Sequence, residues 1–318
     1  MKSGIKVRRF DENPLIVPDE NKKWMNYAAF NCGVIYDEES REFKMLIRGS
    51  SGPDRMYSNV GLATSEDGKK WRVSEEPVLK CGFNEWCTWG IEDPRIVKWI
   101  DGYYYVFATV WSEKGIKIGI FKTANFEKFQ WIGIPIDRDV NIDNKNSAIF
   151  PELINGWVYL LHRRPPDIWI SRTKDITLKE GWQDHRILVS HKRLYKHPIY
   201  GTEPNKIGIA GPPVKLNNYW LQIIHVAHDD PKYGRAYSLS FVMLDENLNV
   251  CYIHPFPILW PEEEWEVEGW RGFEPVKNVV FSCATVPLQE KIYIYYGAAD
   301  TVICGGYLKR KDFENLKF

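Results

Sequence analysis

The chain has 318 residues, with 42 Lys and Arg against 42 Asp and Glu, so it is formally neutral at pH 7. No excess of either sign is available to hold a phosphate polymer or an anionic membrane, which sets both aside as partners. Apolar residues make up 44% and aromatics 14%, too much buriable surface for a disordered chain, so a large core is expected.

From the N-terminus, residues 1–10 carry Lys and Arg but no apolar stretch of signal-peptide length, and no run approaches the roughly 18 apolar residues of a membrane span. A cytoplasmic protein is expected. The 23 Gly and 19 Pro, with Pro recurring beside apolar runs, disfavour long helices and predict many short strands. Cys32, Cys81, Cys87, Cys251, Cys283 and Cys304 show neither close pairs nor a framework spacing, and His225 and His228 stand without a Cys pair. Reduced core thiols and no bound metal are the expectation.

A strand–turn–strand unit then recurs at about 60 residues. It is written at 29–50, 92–110, 149–164, 210–227 and 280–300, with tight-turn pairs Asp101-Gly102, Asn155-Gly156 and Asn217-Asn218 between the strands. A second signature, an alternating strand, a charged turn and a Trp, ends at Trp71, Trp131 and Trp182, spaced by 60 and 51 residues. Paired hairpins of about four strands, unable to bury a face alone, stack radially. The expected fold is all-β, a five-bladed β-propeller forming one domain over residues 1–318. A two-sheet sandwich explains the strands but not the repeated Trp.

In a propeller the innermost strands converge on one mouth, so polar residues in phase with the repeat meet there. Asn31, Glu92-Asp93, Lys145-Asn146 and Lys206 lie near the starts of first strands. Arg48, His162-Arg163-Arg164, His225 with His228, and Asp300 lie near the ends of second strands. Asp93, where a loop enters an apolar strand, is the sharpest candidate acid, because desolvation raises a carboxyl pKa toward what a general acid requires. Glu92 shares that position, and the residues alone do not rank the two. Arg163, Arg164, Lys145 and Lys206 would surround a compact anion such as phosphate. No Gly-rich phosphate loop is present, so a nucleotide is not expected. Trp86, Trp89, Trp111, Tyr103 to Tyr105 and Tyr295-Tyr296 would suit flat sugar faces.

At these residues the chain resembles glycoside hydrolase family 130, five-bladed propellers that include β-mannoside phosphorylases. The resemblance runs through N-P-L at 13–15, A-F-N at 29–31, Arg48, E-D-P-R at 92–95, K-N-S-A-I-F-P at 145–151, H-R-R-P at 162–165, K-I-G-I-A-G-P-P at 206–213 and Y-Y-G-A-A-D-T at 295–301. It implies reversible, inverting phosphorolysis of a β-mannoside oligosaccharide, releasing α-mannose 1-phosphate, with inorganic phosphate as co-substrate and no cofactor. Asp93 would be the catalytic acid, reaching the glycosidic oxygen through a mannose hydroxyl. Asn31, Arg48, Lys206 and Asp300 would hold the mannose, and Arg163, His225, Lys145, Asn146 and Arg164 the phosphate. Members of the family associate as dimers to hexamers, so a homo-oligomer is compatible with the resemblance, while the residues themselves do not report the assembly.

One departure bears on the reaction: where many relatives read His-Gly, this chain reads His225-Val226-Ala227-His228-Asp229-Asp230. Acidic residues there keep a hydrolase of the same family as the alternative, since hydrolysis needs a second carboxylate, with Asp229 or Glu203 as candidates. A non-catalytic carbohydrate-binding propeller is the third reading. Linkage choice lies in loops 52–59, 81–89, 190–205 and 261–273; the first two resemble in length those of the β-1,2-mannobiose and oligomannan phosphorylases more than those of the chitobiose-processing members, and β-1,2- rather than β-1,4-linked substrates are expected.

Overall fold

The structure is a computed structural model that describes residues 4–52, 57–270, 276–314 and 316. Parts of the loops 52–59 and 261–273 lie outside the described residues. Strand β1 (Arg8–Arg9) is followed by five sheets. Blade 1 is β2 (Ala28–Asp37), β3 (Glu42–Ser50), β4 (Asn59–Ser65) and β5 (Arg72–Val73). Blade 2 is β6 (Gly90–Lys98), β7 (Tyr104–Ser112), β8 (Gly115–Thr123) and β9 (Gln130–Gly133). Blade 3 is β10 (Lys145–Ile149), β11 (Val158–Arg164), β12 (Asp167–Thr173) and β13 (Gln183–Val189). Blade 4 holds β14 (Pro204–Ile209), β15 (Val214–Leu216), β16 (Tyr219–His228), β17 (Ala236–Leu244) and β18 (Val250–Ile253). Blade 5 is β19 (Val280–Pro287), β20 (Lys291–Ala298) and β21 (Val302–Lys309), completed by β1.

This is the expected five-bladed β-propeller, with two of the repeat units re-phased. The third starts at Lys145. In the fourth, the Gly211-Pro212-Pro213 stretch that reads as the approach to a first strand is a break inside it, and the innermost strand is β14, upstream of position 210. The Trp signature marks fourth strands: Trp71 and Trp182 directly precede β5 and β13, and Trp131 lies in β9.

Both faces of each blade are covered by a neighbour, which is why the middle strands are apolar nearly throughout rather than alternating. Among the described residues each blade–blade interface holds a large hydrophobic cluster, and a smaller one, around Phe281 and Cys283 with Tyr237 against it, adds to the interface of blades 4 and 5. Leu46 and Val60 meet Ile91 and Val106 between blades 1 and 2. Phe107 meets Leu160 between 2 and 3, and Leu161 meets Ile224 between 3 and 4. Ile223 meets Ile294 between 4 and 5, and Tyr295 meets Met45 between 5 and 1.

In the innermost strand of every blade the antiparallel register slips by one residue. The slips fall between Phe30 and Gly33, Glu92 and Arg95, Lys145 and Ala148, Pro204 and Lys206, and Ser282 and Ala284. A bulge leaves its extra residue outside the ladder and re-aims a side chain. Asn31, Asp93 and Asn146 occupy three of these bulges at φ of 46°, 49° and 53°, a region that Asn and Asp visit more readily than other L residues. Pro94, beside Asp93, is tolerated because a bulge needs no ladder donor there. A Cβ on Gly33 would stand 2.4 Å from the Pro94 carbonyl oxygen, so only glycine lets blade 1 close against the second bulge. The far end of the axis is an apolar cavity of about 340 Å³ lined by residues such as Val34, Ile96, Pro151, Pro212 and Val286.

Ring closure rests on β1. Arg9 donates from Nε and Nη2 to the two carboxylate oxygens of Glu266, at 2.8 and 2.7 Å, and Tyr296 Oη donates to the same carboxylate at 2.8 Å. The Glu266 side chain, in the one-turn helix α1 (Glu264–Val267), is 0% exposed. Removing one partner of a buried pair strands the other charge, so Arg9→Ala is expected to lower unfolding stability by ~3 kcal/mol in urea titrations. A loss below about 1 kcal/mol, the scale of an exposed pair, would mean that this pair does not hold the ring shut.

Candidate active site

Blades 1 and 2 build an acidic half. Arg48, near the end of β3, is 9% exposed and forks: Nη1 donates to Asp93 Oδ1 at 3.0 Å, Nη2 to Glu92 Oε1 at 2.8 Å, and Nε to Ser58 Oγ at 3.0 Å. Asn31 Nδ2 donates to the same Asp93 oxygen at 3.0 Å. Arg95, 0% exposed, holds the bulge from behind. Its Nη1 donates to the Asp93 carbonyl at 2.8 Å, while Nε and Nη2 reach the carbonyls of Ala210 and Ile209 in blade 4.

Two adjacent buried carboxyls facing one guanidinium do not titrate alike. Burial and the neighbouring Asp93 and Asp300 push Glu92 up, against Arg48 and Lys145. Burial also acts to raise Asp93, but Arg48, Lys145, Arg95 and the Asn31 hydrogen bond outweigh it and hold Asp93 below the usual carboxylate range. This corrects the expectation of an Asp93 raised by desolvation. Asp93 lies within a strand among cations from other blades, and in the unliganded protein Glu92 is the better proton holder.

Blades 3 and 4 build a basic half. Lys145 and Arg163 pair across β10 and β11, and Gly208 on β14 faces them. A Cβ on Gly208 would stand 2.9 Å from Asn146 Oδ1 and 3.4 Å from Arg163 Nη1. Burial, and then Arg163, depress the Lys145 pKa, while burial dominates the lowering at Arg163. Lys206, lying 5.7 Å from the Tyr237 ring centroid, is depressed to about 8 by burial and by Arg163 and Arg235. Cations held at this cost favour a bound anion. Several polar atoms here are cut off from solvent and have no hydrogen-bond partner among the described residues: both side-chain atoms of Asn146, Arg163 Nε, Asn31 Oδ1, Thr109 Oγ1 and His225 Nδ1. Each such atom costs on the order of 1–3 kcal/mol, and a cluster of them near one axis marks a site that a ligand completes.

The structure thus brings together Asn31, Arg48, Glu92, Asp93, Lys145, Asn146 and Arg163, with Asp300 acting electrostatically on Arg48 and Glu92. His225 is buried and neutral. One face of its ring stacks on Phe281 at 3.8 Å, Nε2 contacts the Ser282 carbonyl, and burial holds its pKa well below normal. Arg164 is not brought to the cluster; both ends of its guanidinium pair with Asp137, and it lies over Trp169. His162 is fixed between Asn144 and Ser171 and held neutral, its pKa lowered to about 3 by burial and Arg164. The flagged acids are engaged elsewhere: Asp229 accepts from Asn205, Asp230 binds His197 and Asn278, and Glu203 pairs with Lys196. Of the aromatics, Tyr104, Tyr105, Tyr295 and Tyr296 are core, while Trp89 and Trp111 form an edge-to-face pair at the mouth end of blade 2. Sequence reasoning missed Ser58, Arg95, Thr109 and Tyr237. Only Arg95 carried a signal, a charge inside the apolar run Pro94–Val97. The six cysteines are free, and no cluster of metal-ligating side chains occurs among the described residues.

Residues 7–316 match the glycoside hydrolase family 130 profile, described as β-1,4-mannooligosaccharide phosphorylase. The chain belongs to this family. A 1,2-β-oligomannan phosphorylase of Thermoanaerobacter sp. (strain X514) is 36% identical, covering 98% of this chain and 99% of the relative. A β-1,2-mannobiose phosphorylase of the same strain is 34% identical, covering 99% and 100%. Among solved structures, β-1,2-mannobiose phosphorylase from Listeria innocua, in complex with β-1,2-mannobiose, superposes with a TM-score of 0.79 at 26% identity, covering 97% and 98% of the two chains.

In this family member the Lys206 titration gives a direct test of the basic half. A lysine depressed to about 8 is charged below that pH and neutral above it, so anion affinity is lost as pH rises through about 8. Calorimetric titration with sulfate from pH 7 to 9 should show that loss, and Lys206→Met should remove the step. A wild-type affinity flat across the range would place Lys206 outside the anion site.

Proposed function

We propose that this protein is an inverting, reversible β-mannoside phosphorylase, preferring β-1,2- over β-1,4-linked mannobiose or mannooligosaccharides and releasing α-mannose 1-phosphate. The observation that carries the reading is the division of the buried site, with Asp93 held by Arg48 and Asn31 on one side and Lys145, Asn146 and Arg163 on the other, where the unpaired polar atoms of Asn146 and Arg163 suit a phosphate. The β-1,2 preference rests on the relatives at 36% and 34% identity, a 1,2-β-oligomannan phosphorylase and a β-1,2-mannobiose phosphorylase, against a family description that names the β-1,4 linkage.

In the proposed step an unprotonated oxygen of hydrogen phosphate attacks the anomeric carbon as the bond to the acceptor oxygen breaks. That oxygen takes a proton from Asp93, which must first gain it from solvent, and the transfer runs directly or through a mannose hydroxyl. The sugar leaves as the hydrogen phosphate monoester, which releases one proton to solvent and so balances the one taken up. Positioning of the two reactants and the cations around phosphate supply the catalysis. A hydrolase would place a base carboxylate about 6.5–9.5 Å from the acid. Asp229 and Glu203, the candidates for that base, are held by Asn205 and Lys196.

Incubating the protein with β-1,2- or β-1,4-mannobiose, with and without inorganic phosphate, should give mannose 1-phosphate only when phosphate is present, faster from the β-1,2 disaccharide. Asp93→Asn should lower turnover by about 10²–10⁴-fold while sugar binding persists. Free mannose formed equally without phosphate would establish a hydrolase, and binding with no turnover a lectin-like module.

A further inference from the structure

Glu92 has no assigned part in the reaction, yet it is 7% exposed, next to the candidate acid in sequence, and bound to the same guanidinium. Arg48 spans the two carboxyls at 2.8 and 3.0 Å, so one positive charge is shared between two potential negative ones. Like charges this close do not both ionise without strong compensation. In the unliganded protein that compensation comes from Arg48 in blade 1, Lys145 in blade 3 and Arg95 behind the bulge, with Asp300 opposing it at Glu92. Among the described residues the other groups facing the pair do not supply a proton: Asn31 donates a hydrogen bond to Asp93, His225 is buried and neutral, and Cys283 holds its thiol proton, pushed up chiefly by burial. Arg163 and Lys206 lie on the anion side.

An anion seated between Lys145 and Arg163 spends the charge that now stabilises the two carboxylates. Resting on the phosphorylase reading above, we propose that Glu92 is a positioning residue that shares a single proton with Asp93 across Arg48, and that filling the anion pocket draws that proton from solvent onto the pair. The acid is thereby armed only when the nucleophile is present. With the pocket empty, Asp93 is ionised and a bound mannoside meets no proton donor, which suppresses adventitious cleavage by water. The proton balance closes over the cycle: the pair gains one proton as the anion binds, the departing acceptor oxygen removes it, and the hydrogen phosphate ester releases one.

The test uses sulfate, which does not itself titrate near neutrality, in calorimetric titrations from pH 5 to 8 in buffers of differing ionisation enthalpy. Wild type should take up about one proton per sulfate over part of this range. Glu92→Gln should lose that uptake, because without its neighbour's charge Asp93 stays ionised, and the basic limb of its kcat/KM profile should move to lower pH. Glu92→Asp, which keeps a carboxyl, should retain the uptake. Any proton gained by Lys206 is common to wild type and Glu92→Gln, so the difference between them reads the pair. Sulfate binding with no proton uptake in wild type, or with equal uptake in Glu92→Gln, would overturn the proposal. Failure of the phosphorylase reading would look different: no phosphate-dependent product and no sulfate binding.

Discussion

Each of the five innermost strands carries one residue more than the strand it pairs with, and the placement of charge near the axis follows from that slip. A regular ladder would send alternate side chains into the two blade–blade interfaces, which are apolar. The bulge instead frees a residue to face the axis, and positive φ at Asn31, Asp93 and Asn146 fixes the direction. Gly33 and Gly208 then let neighbouring blades close onto those residues without a Cβ in the way. The interfaces supply the rigidity that keeps buried cations and carboxylates from relaxing toward each other or toward water.

Within this frame the charges are segregated by blade. Blades 1 and 2 contribute two carboxyls and the arginine that bridges them, while blades 3 and 4 contribute Lys145, Arg163 and Lys206. Arg95 reaches across, binding carbonyls in blades 2 and 4, and so locks the distance between the halves while adding its own charge. A neutral chain has concentrated charge at one end of its axis and left the other end apolar. Such a centre suits a reaction between an anion and a neutral sugar.

Much of the fold was legible because a blade is a local object. Hairpin turns at Asp101-Gly102 and Asn155-Gly156, and the Trp before or within the fourth strands of blades 1 to 3, are written in short stretches. The fourth blade was mis-phased because Gly211-Pro212-Pro213 looks like the approach to a strand, and only pairing with β16 shows that β14 precedes it. Register slips depend on partner strands, so the bulges were invisible, and with them the reason Asp93 sits among cations. The in-phase polar residues did locate the site, but phase does not report partners. Arg164 shares its phase with Arg163, yet the adjacent residue points to the opposite face and finds Asp137. Tyr295 and Tyr296, suited by type to sugar stacking, spend their hydroxyls on Gly68 and Glu266 in the core.

The central claim, that the bulges of blades 2 and 3 set a protonatable carboxyl opposite an anion pocket, is tested most directly by a crystal structure of the protein soaked in inorganic phosphate. The account predicts phosphate density within hydrogen-bond reach of Arg163 Nε and Asn146 Nδ2, two atoms that lack partners among the described residues, with Asp93 still held by Arg48. Phosphate bound instead to Arg48, with Asp93 displaced and Arg163 left unoccupied, would contradict it.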